Sequence, residues 1–292
     1  MKLGLGTVQF GTDYGVSNQS GQTTPTEVGQ ILEFAADCGI HYLDTAPAYG
    51  NSESVLGQYL KPGHRFRIVT KTNKIGKSQI DDSDIELILA TFRLSLQNLC
   101  QKFVYGLLVH HPDDLLKEGG EKLFQALESL KIEGLVDKIG VSVYDRAQTE
   151  RLLAKYSIDL IQVPLNVFDQ RLLENGYLDS LKNSGIEIHV RSVFLQGLLL
   201  MSEDEVPSYL SGLFPHLASY RQANKERGIS HLEAAIGFVD RIDSVNTLLV
   251  GVNNLNQLQE IVRANNLVLD LSYLDAHSVE SEQLINPSLW RK

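Results

Sequence analysis

The chain has 292 residues, 43% of them hydrophobic, with a formal net charge of −10 and a pI near 5.3. A surface of that sign has no attraction for nucleic-acid phosphates or anionic lipid, which excludes both as main partners. The apolar share is enough for a large core, and length alone allows two ordinary domains or one large α/β domain.

The start, "MKLGLGTVQFG", carries one lysine but no sustained apolar stretch, so no secretory signal is expected. Short β-branched runs then recur, each followed by an amphipathic segment of helix length. Strands are expected at 3–7, 42–45, 68–71, 105–110, 139–143, 160–163, 186–190 and 247–250. In "TTPTEVGQILEFAADCG" Thr24 is the expected N-cap, Pro25 takes the first helical position, Glu27 closes a capping box and Gly39 follows the last turn. Further helices are expected to begin near Ser52, Ser83, Gly119, Asp145, Gln170, Ser230 and Asn254, with apolar residues at three- and four-residue steps.

Strand-then-helix order throughout implies parallel pairing with right-handed crossovers. Eight repeats is the number that closes such a sheet into an α/β barrel of the (β/α)8 TIM type. The gap after the seventh strand is the longest, about 60 residues, and predicts an extra loop or helix over the barrel mouth at roughly 194–229. No low-complexity linker splits residues 1–292, so a single domain is expected, ending in a tail over about 266–292. No 18 apolar residues run together, and Cys38 and Cys100 show neither ligand nor redox spacing, so a cytoplasmic protein is expected. A doubly wound nucleotide-binding sheet is the structural rival, supported by the glycines of "GLGTVQFG". The third glycine is misplaced for G-x-G-x-x-G, and no helix is expected directly after it.

In such a barrel, catalytic groups sit at the carboxyl ends of the strands. Asp44 ends the second strand, Tyr49 lies in its loop, Lys71 ends the third and His110 ends the fourth. Taken singly, each has an ordinary structural use: a turn cap, a half-buried aromatic, a solvated lysine. Together on one mouth they make a chemistry. A buried carboxylate needs a partner, and Lys71 on the neighbouring strand supplies it. The same ammonium beside a phenol is expected to pull the Tyr49 pKa down from about 10, and His110 supplies a ring N–H to hold a substrate oxygen. Vicinal imidazoles converge poorly on one ion and no Cys or His cluster lies nearby, so no metal site is expected at "HH".

The blocks "LGLGTVQFG", "GIHYLDTAPAYGNSESVLGQYL", "VTKT", "LLVHHPDD", "IGVSVYD" and "GLLL" occur in the order found in the aldo-keto reductases, and the chain resembles that family over nearly its whole length. The resemblance implies a barrel that binds a nicotinamide cofactor without a Rossmann domain, and a tetrad of Tyr49, Lys71, Asp44 and His110. Strand alternation puts His110 and His111 on opposite sides without saying which points inward; the family pattern assigns His110 to the tetrad and His111 to the substrate pocket. It also implies cofactor contacts from Thr7, Ser142, Gln162, Arg191 and Ser192. Arg191 stands where many members stack an aromatic under the nicotinamide ring, and Val143 replaces an asparagine common there. For the adenosine end it implies Gly251, Asn253, Asn254, Gln257 and Glu260, with a phosphate site at the start of the helix near Asn254.

NADPH is the expected cofactor and NADH a possible one, because the cations that grip a 2′-phosphate in NADPH-specific relatives are absent at Gly251 and Gln257. Phe10 and Tyr14, in the loop after the first strand, join His111 as expected pocket residues. Trp290 either closes the pocket or anchors the tail to the outside of the barrel. The implied activity is reduction of an aldehyde or ketone to an alcohol, or the reverse, with Tyr49 as proton donor. The alternative is a cofactor-binding sensor with little turnover. The partner is a small carbonyl or alcohol, and a monomer or small homo-oligomer is expected.

Overall fold

The eight runs of β-branched residues form strands β1 (Leu3–Gly6), β2 (Tyr42–Asp44), β3 (Arg67–Lys71), β4 (Val104–Val109), β5 (Val136–Ser142), β6 (Leu160–Pro164), β7 (Glu187–Arg191) and β8 (Thr247–Gly251) in the computed structural model, which describes residues 2–290. Each pairs in parallel with the next, and β1 pairs with β8, so the sheet closes into a barrel and no edge is left exposed.

Outside the sheet lie α1 (Val8–Gly11), α2 (Pro25–Asp37), α3 (Ser52–Tyr59), α4 (Asp82–Asn98), α5 (Gly120–Ile132), α6 (Arg146–Leu153), α7 (Tyr177–Asn183), α8 (Phe214–Arg227), α9 (His231–Asp240), α10 (Leu255–Asn265) and α11 (Glu282–Ile285). This is the (β/α)8 TIM architecture. Side-chain caps at Thr24, Asp145, Ser230 and Asn254 start α2, α6, α9 and α10. Each satisfies an N–H that has no partner within its helix.

Several local expectations are corrected. A single turn, α1, follows β1 at once where none was expected. Glu27 does not close a box with Thr24; its carboxylate instead accepts the Leu255 N–H at the start of α10, at 2.6 Å. The segment expected as a helix from Gln170 is a 3-10 stretch, Arg171–Gly176, whose left-handed Asn175 breaks it before α7. Between β7 and α8 the chain makes three short 3-10 turns.

Alternation along the strands divides the core in two. Leu5, Leu43, Ile68, Leu107, Ile139, Ile161, Ile188 and Leu248 point outward and are buried under the helices. Burying such a side chain stabilises the fold by roughly 1.5–3 kcal/mol. The opposite parity fills the barrel in layers: Tyr42, Arg67 and Glu187 at the floor, then Val69, Leu108 and Leu160, then a polar mouth. The floor is a charged and aromatic cluster in which Glu187 accepts hydrogen bonds from Lys138 and Tyr105 and contacts His189 Nε2 at 2.7 Å. Of the tail, Arg291 and Lys292 lie outside the described residues, as does Met1 at the start.

Candidate active site

The mouth is built by one parity rule. Asp44 stands two residues beyond Tyr42, Lys71 two beyond Val69, His110 two beyond Leu108, and Gln162 two beyond Leu160, so all four continue the inward face of their strands. Ser142, Arg191 and Gly251 end β5, β7 and β8 and line the same cleft, whose volume is about 510 Å³.

At its base Lys71 and Asp44 are 2% and 5% exposed. Lys71 Nζ donates to Asp44 Oδ2 at 2.7 Å, to the Thr45 carbonyl at 2.9 Å and to Tyr49 Oη at 3.2 Å, which satisfies all three ammonium hydrogens. The other Asp44 oxygen accepts Gln162 Nε2 at 2.6 Å, and Gln162 Oε1 accepts the Ser142 hydroxyl at 3.2 Å. Gln162 is therefore a second partner of Asp44, a contact the sequence reading did not foresee. Burial opposes the Lys71 charge, but Asp44 and Tyr49 outweigh it and raise the pKa above its ordinary value.

The Tyr49 expectation is corrected in sign. Burial pushes the phenol above its usual value of about 10, and Lys71 offsets that only in part. Tyr49 is thus a neutral phenol at neutral pH, a form that holds a proton to give. His110 packs edge-on against its ring at 5.9 Å. Burial, with Lys71 nearby, drops the His110 pKa to about 3, so the imidazole is neutral.

The loop that presents Tyr49 is fixed by close backbone contact. A Cβ on Gly11 would lie 1.7 Å from the Tyr49 carbonyl, and one on Gly50, at φ +57°, would lie 2.2 Å from the Gly11 carbonyl. No other residue fits either position. Ser52 Oγ donates to the Thr7 carbonyl at 2.8 Å and Thr7 Oγ1 to the Asp44 carbonyl at 2.9 Å, while Glu53 accepts from Thr70 at 2.7 Å. The "DTA-x-x-YG-x-SE" block thus places Tyr49 through its polar side chains as well as its glycine.

Thr7, Tyr14, Tyr49, His110, Ser142, Gln162, Arg191, Ser192, Gly251, Asn253, Gln257 and Glu260 line the cleft. Phe10, Asn254 and His111 do not. Phe10 falls on α1, whose turn rotates its side chain into the core, where it is fully buried. His111 lies beyond the inward face of β4 and is exposed, with its ring 5.3 Å from His110. Asn254 caps α10 by accepting the Gln257 N–H at 2.9 Å, and Glu27 takes that of Leu255. The helix start is therefore not the open anion site expected.

Gln9, Tyr144 and Gln196 were missed and also line the cleft. Tyr144 was findable, since it follows Ser142 at a strand end. Gln9 depends on the unforeseen α1. Trp290 lines a smaller chamber, about 320 Å³, with Asp13, Tyr14 and Gln196, which puts the tail against the first loop rather than on the outside of the barrel.

A sequence model of the aldo/keto reductase family matches residues 2–277. The chain belongs to the aldo/keto reductase family. Within that family it is 28% identical to the NADH-specific methylglyoxal reductase of Escherichia coli K12 over 284 residues, covering 85% of each chain. It is 25% identical to the L-glyceraldehyde 3-phosphate reductase of the same organism, covering 86% of this chain and 84% of that one. An aldo-keto reductase from Bacillus halodurans in its holo form has the same fold, with a TM-score of 0.74 at 22% identity, covering 94% of this chain and 90% of the other. Membership of the reductase family supports carbonyl reduction as the activity, and no helix among the described residues is long and apolar enough to cross a membrane.

Proposed function

We propose that the protein reduces a small aldehyde or ketone to the alcohol, or runs the reverse, with Tyr49 as proton donor and a nicotinamide dinucleotide as cofactor. The observation that carries this reading is the contact of one buried ammonium, Lys71 Nζ, with Asp44, the Thr45 carbonyl and the Tyr49 hydroxyl. The substrate oxygen accepts from Tyr49 Oη and from the neutral His110 ring. As negative charge develops on that oxygen, Tyr49 passes its proton across, and Lys71 stabilises the phenolate that remains. Asp44 holds the ammonium and keeps its charge compensated before and after transfer. When bound, the reduced nicotinamide supplies the hydride.

The residues present fit such a cofactor. Gln9 Oε1 is buried in the cleft wall without a partner among the described residues, next to Gly251, where a Cβ would come within 2.4 Å of the Gln9 amide. An orphaned acceptor beside a backbone that side chains must avoid suits a polar ligand passing close by. At the end that the resemblance gives to adenosine, Asn253, Gln257 and Glu260 line the cleft, and Glu27 occupies the nearby helix start. Among the described residues no Lys or Arg lines that end to meet a 2′-phosphate, whereas Glu260 suits ribose hydroxyls, so we read NADH as serving at least as well as NADPH. The relative named as NADH-specific is in keeping with this.

Fluorescence titration with NADH and NADPH, followed by an assay on a panel of small aldehydes, tests the proposal. Binding of both cofactors, with NADH equal or tighter, and oxidation driven by at least one aldehyde are expected. Tight binding with no oxidation across the panel points instead to a sensor, and NADPH bound more than roughly tenfold tighter overturns the cofactor assignment.

A further inference from the structure

Proton transfer from Tyr49 makes no use of the smaller chamber behind Tyr14. Tyr14, Gly15, Asn18 and Gln196 line that chamber and the cleft alike, so the two spaces share one wall. The wall is tightly built. Val16 N–H donates to the Gln196 carbonyl at 3.1 Å, and a Cβ on Gly197 would lie 1.8 Å from Ser17 Oγ. Gln196 itself sits at φ +56°, a left-handed value that residues with a side chain seldom adopt outside functional sites. Asp13 Oδ1 accepts Asn18 Nδ2 at 3.0 Å, which leaves Oδ2 open among the described residues. Gln196 Nε2 donates to Tyr14 Oη at 3.3 Å, and the Gln196 oxygen, its second amide hydrogen and the Tyr14 hydroxyl hydrogen are open in the same sense. Burial, with Tyr49 nearby, raises the Tyr14 pKa, so that hydrogen stays in place. Trp290 Nε1 is spent on the Leu284 carbonyl at 3.1 Å, so Trp290 and Pro287 offer the chamber apolar surface. Open acceptors and open donors thus stand together beside two apolar rings. A carboxylate only accepts and an ammonium only donates, whereas a hydroxyl does both, and the C–H groups of a polyol bury against such rings.

We propose that this chamber receives a hydroxylated arm of the substrate, so that the preferred carbonyl compounds are polyhydroxy aldehydes or ketones long enough to pass Tyr14. The assignment rests on the reductase reading of the cleft. It makes Asp13, Gln196 and Trp290 specificity-determining residues: Asp13 and Gln196 exchange hydrogen bonds with the arm, and Trp290 closes the chamber from the tail.

The test compares kcat/KM for hydroxylated aldehydes of two to five carbons, glycolaldehyde to ribose, with the plain aldehydes of equal length. Hydration and ring closure of the sugars act equally on wild type and variant, so the change in the hydroxylated-to-plain ratio between enzymes reads the site. Asp13→Ala and Trp290→Ala should each cut that ratio roughly 5- to 20-fold for the longer pairs and leave it unchanged for the two-carbon pair, which has no arm to place. Trp290 is the only tryptophan of the chain, so its fluorescence reports the chamber without turnover. Ribitol cannot be oxidised by reduced cofactor, and the titration is run on the full chain with NADH present. A saturable change in Trp290 emission with ribitol, absent with pentanol and weakened roughly tenfold in Asp13→Ala, supports the assignment even in an enzyme that reduces none of the aldehydes. Equal ratios in wild type and both variants at every length, or no saturable response to ribitol, overturns it and leaves carbonyl reduction intact.

Discussion

Lys71 is fully buried and charged, and its cost is met by three oxygens whose places are set by β2 and the loop after it. Removing the ammonium leaves Asp44 buried with only Gln162 beside it. Lys71→Met should therefore destabilise the fold by about 3–5 kcal/mol, and adding Asp44→Asn should recover a large part, because the double variant buries no charge. Urea denaturation of the two variants checks this; equal losses would mean that the pair is not coupled. The two groups next to substrate also fix a pH signature. His110, at about 3, is neutral through the working range, and Tyr49, raised by burial, keeps its proton there. The reductive kcat/KM should show no inflection from either group between about pH 5 and 9. An inflection near neutrality that vanishes in Tyr49→Phe would contradict the raised phenol.

At the level of elements, period-two alternation does most of the placing. Asp44, Lys71 and His110 were legible as strand ends facing one mouth, since the β-branched runs and the barrel rule together fix where strands stop. What the sequence alone left open was parity, which packing settles: Leu108 sits in the inner cluster and Val109 against the helices, so His110 turns inward and His111 does not. Other residues were illegible because they depend on contacts between distant segments. Glu27 caps α10 and not its own helix, Gln162 reaches across to Asp44, and the turn of α1 takes Phe10 out of the pocket. The contact between α1 and the Tyr49 loop is tight enough to test. A methyl at Gly11 meets the Tyr49 carbonyl at 1.7 Å. Gly11→Ala should cost about 1–3 kcal/mol and displace Tyr49, lowering kcat more than it weakens cofactor binding. Calorimetry and a cofactor titration check the two halves separately.

Across the whole molecule, the barrel carries buried charge at both ends, with an apolar layer between. At the floor, burial opposes the Glu187 charge, but hydrogen bonds from His189, Lys138 and Tyr105 outweigh it and bring the pKa down to about 2. A carboxylate with a depressed folded-state pKa stabilises the fold above its unfolded value, and that stability is lost as pH falls toward the folded value. The Glu187 contribution, a few kcal/mol at most, should therefore disappear between about pH 4.5 and pH 2. Thermal melts of Glu187→Gln should depend less on pH in that window than those of the wild type. The mouth is more exposed to direct trial. The most direct measurement is a single-turnover reaction of Tyr49→Phe, loaded with reduced cofactor, against the best aldehyde found. Cofactor affinity close to wild type with hydride transfer slowed by roughly two to four orders of magnitude is the predicted result. Wild-type transfer from the phenylalanine enzyme would mean that the proton comes from elsewhere.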